Sequence, residues 1–120
     1  MFFPFEDYIR VNVPQTNANN AILYTTTFDC MVYFVPRGSN MEDDEPVSIF
    51  VEDYFIDTDG DNADLTIFGS QGTSDFNQSI NTYRSVIVPA GKNIRAFIAD
   101  SSDRLGGTLH IFKLPFPALI

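Results

Sequence analysis

The sequence predicts an all-β protein: a single-domain antiparallel β-sandwich, jelly-roll-like, with an immunoglobulin-like arrangement as the alternative. Three observations lead there. Twelve Phe and five Tyr stand against three Met and no Trp in 120 residues, and together with many Val, Ile and Thr they suit pleated, half-buried surfaces. Short runs of alternating polarity recur between clusters of Pro, Gly, Asn and Asp, and no useful length carries helical periodicity. The chain is long enough for one core and too short for two, so residues 1–120 are expected to form one domain.

The elements follow in order. Met1 to Phe5 is apolar, broken by Pro4, and too short to form a core element alone. Tyr8 to Val13 alternates and reads as a first strand, closed by Pro14 and the polar run Gln15 to Asn20. Ala21 to Val35 exceeds an ordinary strand, so it is expected to bend near Thr27 or split in two. After Pro36 to Asn40 comes an acidic loop, Glu42 to Glu45, then a strand from Val47 to Ile56 with Val47, Ile49 and Val51 inward. A second acidic loop, Asp57 to Asp64, introduces a strand from Leu65 to Phe68. Gly69 to Asn81 is a long polar connection, long enough to act as a contact loop, with Phe76 as its anchor.

Tyr83 to Val88 and Ile94 to Ala99 flank Pro89-Ala-Gly91-Lys-Asn and read as a hairpin with a longer loop. The last strand is expected from Thr108 to Leu114, followed by the apolar stretch Pro115 to Ile120, whose two prolines forbid regular ladder pairing.

Charge and composition then remove function classes. Seven Lys and Arg against sixteen Asp and Glu leave a net charge of -9, which repels phosphate backbones and anionic membranes, so neither is expected as a partner. No segment approaches a membrane span. The first residues lack the basic start of a secretory signal, so synthesis and folding in a cytoplasm are expected. Cys30 is the single cysteine; with Phe28, Val32 and Phe34 on its side of a strand, it reads as an inert core residue.

Chemistry is sparse. Asp57, Asp59, Asp61 and Asp64 crowd one turn and are the candidate calcium ligands, because calcium takes several oxygens at once. The EF-hand pattern fails, with Asn62 where glycine is needed and Phe68 where glutamate should stand; a solvated acidic turn is the competing reading. The lone histidine, His110, has no second histidine or nucleophile motif to join. Phosphate loops, a G-x-S-x-G elbow and Cys-x-x-Cys are missing. The chain is therefore expected to be non-enzymatic and to carry no cofactor other than calcium.

The turn Val88-Pro-Ala-Gly91 resembles one found in cupins. That family's metal chemistry needs a histidine pair and an acid around the turn, where this sequence has Lys92, Asn93, Ile94 and Arg95; the likeness supports a jelly roll and not a cupin enzyme.

Two apolar stretches are the sharper functional signal. Phe2, Phe3 and Phe5 lie at one end, and Leu114, Phe116, Leu119 and Ile120 at the other, each interrupted by proline. Left in water they would expose a patch of the kind that marks an interaction site; folding back over the chain's own sandwich is the alternative. In overall style, a small, acidic, cysteine-poor sandwich with such ends resembles virion structural proteins, especially capsid decoration or cement proteins of tailed bacteriophages. The resemblance implies a homo-oligomer, a trimer at a local threefold, bound to a major capsid protein or another virion protein to reinforce the shell. Rival expectations are a tail, neck or head-fibre component, a calcium-dependent carbohydrate-binding module on the Asp57 to Asp64 loop, and an enzyme built around His110.

Overall fold

The computed structural model describes residues 7–16, 19–37, 47–71, 80–98 and 105–114. These form nine strands: β1 (Tyr8–Thr16), β2 (Ile22–Thr25), β3 (Cys30–Pro36), β4 (Val47–Ile56), β5 (Asn62–Gln71), β6 (Ile80–Tyr83), β7 (Val86–Val88), β8 (Asn93–Ile98) and β9 (Leu105–Lys113). They lie in a four-stranded sheet, order β1-β9-β3-β7, and a five-stranded sheet, order β2-β8-β4-β5-β6. Every pairing between them is antiparallel. The orders β1-β9-β3-β7 and β2-β8-β4-β5 are the two sheets of a jelly roll, with β6 added at one edge; the immunoglobulin-like alternative falls away.

The core lies where the inner faces meet. The four-stranded sheet contributes Val13, Cys30, Val32, Phe34, Val88, Leu109 and Ile111, and the other contributes Val47, Ile49, Val51, Phe68, Ile94 and Ala96, all buried. Full burial of a side chain such as Ile49 or Phe68 is worth about 1.5–3 kcal/mol. Phe34 meets Phe68 across the sheets with ring centroids 5.2 Å apart. Gly107 makes room for that contact, since a Cβ there would lie 2.6 Å from Phe34 Cζ and 2.2 Å from the Val35 carbonyl oxygen.

β4 matches its expected span, and the long run after Ala21 does split, into β2 and β3. β5 begins at Asn62 and runs to Gln71, beyond both expected ends, and β9 starts at Leu105 because Gly106 and Gly107 continue the ladder. The expected hairpin over Tyr83 to Ala99 is corrected. β7 pairs with β3 in one sheet while β8 pairs with β2 and β4 in the other. Arg84 N–H donates to the Ile67 carbonyl (3.0 Å) as the chain leaves β6; Val86 to Val88 then joins the opposite sheet.

What holds the turn between β7 and β8 is a threonine. Thr26, between β2 and β3, is the only polar side chain buried among the described residues. Its hydroxyl donates to the Pro89 carbonyl (2.7 Å) and accepts from the Lys92 N–H (2.9 Å). Its N–H donates to the Lys92 carbonyl (2.9 Å), and its own carbonyl accepts from the Gly91 N–H (2.7 Å). Two sheet-to-sheet crossings distant in sequence are thus fastened to each other. Removing the hydroxyl strands buried backbone groups, which costs about 1–3 kcal/mol. Thr26→Val is expected to lower stability by that amount in urea unfolding, with the same fold by circular dichroism.

Candidate functional site

The strands of the four-stranded sheet contain no Asp or Glu, whereas β4 and β5 carry Glu52, Asp53 and Asp64. In a chain of net charge -9, these four strands add nothing to the negative charge. Its outer face is also aromatic. Alternation turns Ile9, Val11 and Val13 inward on β1, so Tyr8 and Arg10 point out; likewise Tyr33 on β3, and His110 and Phe112 on β9. The register sets them in rows across the strands: Tyr8, Phe112, Met31 and Ile87, then Arg10, His110 and Tyr33.

The rings stack on one another. Tyr8 and Phe112 lie 4.9 Å apart at 29°, Tyr33 and His110 4.6 Å apart at 18°, and Tyr33 and Phe112 6.0 Å apart at 11°. Spacing near that of neighbouring strands, with nearly parallel planes, means each ring spends a face on its neighbour and turns an edge outward. Such a ridge suits packing against protein better than the flat ring face a sugar stacks on. At its margins Ile87 and Val35 are 49% and 46% exposed.

His110 is built into this ridge. The Tyr8 hydroxyl and His110 Nδ1 lie 2.7 Å apart, so a neutral imidazole protonated on Nε2 accepts the hydroxyl's hydrogen. Burial, and then the Arg10 guanidinium opposite, hold its pKa below the ordinary 6.5. Histidine thus serves as a ring in a stack, and no carboxylate stands beside it in the rows. A cleft of about 450 Å³ at the end of β3 is lined by Tyr33, Phe34, Val35, Pro36, Tyr83, Arg84 and Ser85. Among the described residues that line it there is no acid, and His110 is not one of them.

The predicted calcium residues are used differently. Asp57 Oδ1 accepts from the N–H groups of Asp59 (2.9 Å) and Asp61 (3.0 Å), closing the β4–β5 turn on itself. Asp64 Oδ1 accepts from the N–H of Asp53 (2.9 Å), which sits in a bulge at φ 52°. Among the described residues, no three His, Cys, Asp or Glu gather where they could hold a metal ion. Cys30 is fully buried, its thiol donates to the Val88 carbonyl (3.6 Å), and burial followed by Asp29 pushes its pKa up to about 11.

Of the predicted interface residues, Leu114 is described: it is half-buried, and its N–H donates to the Asp29 carbonyl (3.0 Å). Phe2, Phe3, Phe5, Phe76, Phe116, Leu119 and Ile120 lie outside the described residues. The attachment points are nonetheless informative. Tyr8 opens β1 and is paired with Phe112 near the end of β9, so the start of the first strand and the end of the last lie side by side at one corner of the aromatic face. Sequence reasoning misses the face itself. Its available signal is that Tyr8, Tyr33 and Phe112 fall on the outward parity of strands whose inward parity is already apolar.

Two measurements probe this region. His110 has a lower pKa folded than unfolded, so its contribution to stability is complete above pH about 6.5 and is lost as the pH falls through that value and then through the folded one. His110→Phe, which keeps the stack without the titration, is expected to show a smaller drop in Tm between pH 7 and pH 5 than the wild type. In the β4–β5 turn, Asp57→Ala is expected to cost about 1 kcal/mol while Asp57→Asn, which keeps an acceptor oxygen, costs much less; chemical unfolding of both variants reads the difference.

Compared with known protein families, with characterised proteins and with solved structures, the chain matches none.

Proposed function

We propose that this protein is a non-enzymatic structural component of a virion, of the capsid decoration or cement kind, which self-associates and binds the shell to reinforce it. The observation that carries the reading is the corner at Tyr8 and Phe112. Tyr8 and Phe112 are paired there on an aromatic sheet face whose strands contain no acid, and in the sequence a proline-broken apolar stretch precedes the one strand and another follows the other. Such an arrangement favours burial against other polypeptide, at about 25 cal/mol per Å² of apolar surface. Repetition over many identical sites then multiplies a modest contact through avidity.

The remaining charge fits the same role. Acids in the β4–β5 turn and on the five-stranded sheet keep an assembled particle hydrated and discourage non-specific association. A jelly roll by itself serves lectins, enzymes and capsids alike, so the fold supports this reading only in company with the surface.

The test is a truncation. The full chain is expected to run as an oligomer in light scattering, and deletion of 115–120 to give a folded species of lower mass. A wild-type monomer, or a mass unchanged by the deletion, overturns self-association. Mass spectrometry of purified particles from cells making the protein is expected to find it in fixed stoichiometry with the shell protein, and its absence from particles overturns the virion assignment.

A further inference from the structure

We infer that the Asp59-Gly60 linkage in the β4–β5 turn is a site of spontaneous covalent modification, at which Asp59 converts to isoaspartate through a succinimide, and that Asp57 restrains the conversion. The inference stands apart from the virion role proposed above.

The chemistry needs a side-chain carboxyl followed by a main-chain nitrogen that nothing shields. Gly60 is the only glycine that directly follows an Asp or Asn in the 120 residues, and both Asp59 and Gly60 are exposed. A side chain on the second residue would crowd its own nitrogen, and glycine has none. The neighbouring chain does not crowd it either, since a Cβ at Gly60 would meet nothing within 4 Å.

In the first step the Gly60 nitrogen attacks Asp59 Cγ. The carboxylic acid gives up its hydroxyl, which leaves as water with the nitrogen's proton, and the side chain closes on the main chain as a cyclic imide. Water then opens the imide at one carbonyl or the other. One opening restores aspartate; the other carries the main chain through the former side-chain carboxyl. Water is lost and regained, and nothing is oxidised or reduced.

The turn's own hydrogen bonds oppose the attack. Asp57 Oδ1 accepts from the N–H groups of Asp59 (2.9 Å) and Asp61 (3.0 Å), and the Asp57 carbonyl accepts from the Gly60 N–H (3.1 Å). The attacking nitrogen has its proton engaged, and the main chain on either side of it is anchored to the same residue, so the reaction waits on opening of the turn. Isoaspartate adds one carbon to the main chain between Asp57 and Asp61, where the Asp57 N–H donates to the Asp61 carbonyl (2.9 Å) beside the last ladder pair, Ile56 and Asn62.

Ageing the full chain in warm neutral buffer tests this, with its peptides mapped by mass spectrometry under fragmentation that distinguishes the two linkages. Isoaspartate is expected at position 59, ahead of every other aspartate among the described residues. Asp57→Ala, which releases the N–H groups of Asp59 and Asp61, is expected to raise the rate by roughly two- to tenfold, the factor that one net hydrogen bond is worth. Asp59→Asn keeps Asp57 in place and forms the same imide with loss of ammonia, so its conversion is expected as a gain in mass that needs no separation of isomers. Circular dichroism checks that both variants fold. No isoaspartate at position 59 in either the wild type or Asp57→Ala, or an Asp59→Asn chain that gains no mass, overturns the site. A rate in Asp57→Ala equal to that of the wild type overturns the restraint.

Discussion

One threonine holds together two crossings that the rest of the sandwich depends on. Most connections in this chain change sheet, so each is an opportunity for the layers to slip. Thr26 uses its hydroxyl, N–H and carbonyl on Pro89, Gly91 and Lys92, and so ties the β2–β3 crossing to the β7–β8 crossing. With both corners fixed, β2 lies against β8 and β3 against β7, one pair in each sheet. Tyr54 adds a strut on the same side, its hydroxyl donating to the Ile87 carbonyl (2.6 Å) from the opposite sheet. Since apolar packing alone has no direction, these hydrogen bonds are what set the two sheets in one alignment.

A fixed alignment gives the two outer faces different characters. On the five-stranded side, Arg95 pairs with Glu52, and Lys92 Nζ donates to the carbonyl of the bulged Asp53 (2.7 Å). Charge there is answered within the chain. On the four-stranded side the outward rows answer one another by ring stacking, and leave an edge-on aromatic ridge. The difference between these faces, more than any single residue, gives the molecule a front and a back.

Sequence makes part of this legible. Alternation with Val47, Ile49 and Val51 inward locates β4 to the residue, and the excess length after Ala21 reveals a break where Thr26 to Asp29 separate two strands. Alternation assigns a side chain to a face but does not say which sheet holds the strand, so Val86 to Val88 and Ile94 to Ile98 look like hairpin arms although they lie in different layers. The aromatic ridge needs β9 to sit between β1 and β3 before its rings meet, and no local pattern carries that. The acidic turn is a case of composition without geometry: four carboxylates in eight residues suggest a cation, whereas Asp57 spends an oxygen on its own turn and Asp64 spends one on a neighbouring bulge. His110 looks idle in sequence and is central to the stack in space.

The pairing of β1 with β9 also bears on how the chain is made. Tyr8 and His110 are hydrogen-bonded across 102 residues, so among the described strands β1 has no ladder partner in its own sheet until β9 has left the ribosome. At roughly 5–20 residues per second that is a delay of about 5–20 s. During that interval a strand flanked by Phe2, Phe3 and Phe5 is without its neighbour, and closing so distant a contact is intrinsically slow. Nascent chains therefore carry β1 unpaired until β9 emerges, and that segment is the one open to clumping for longest.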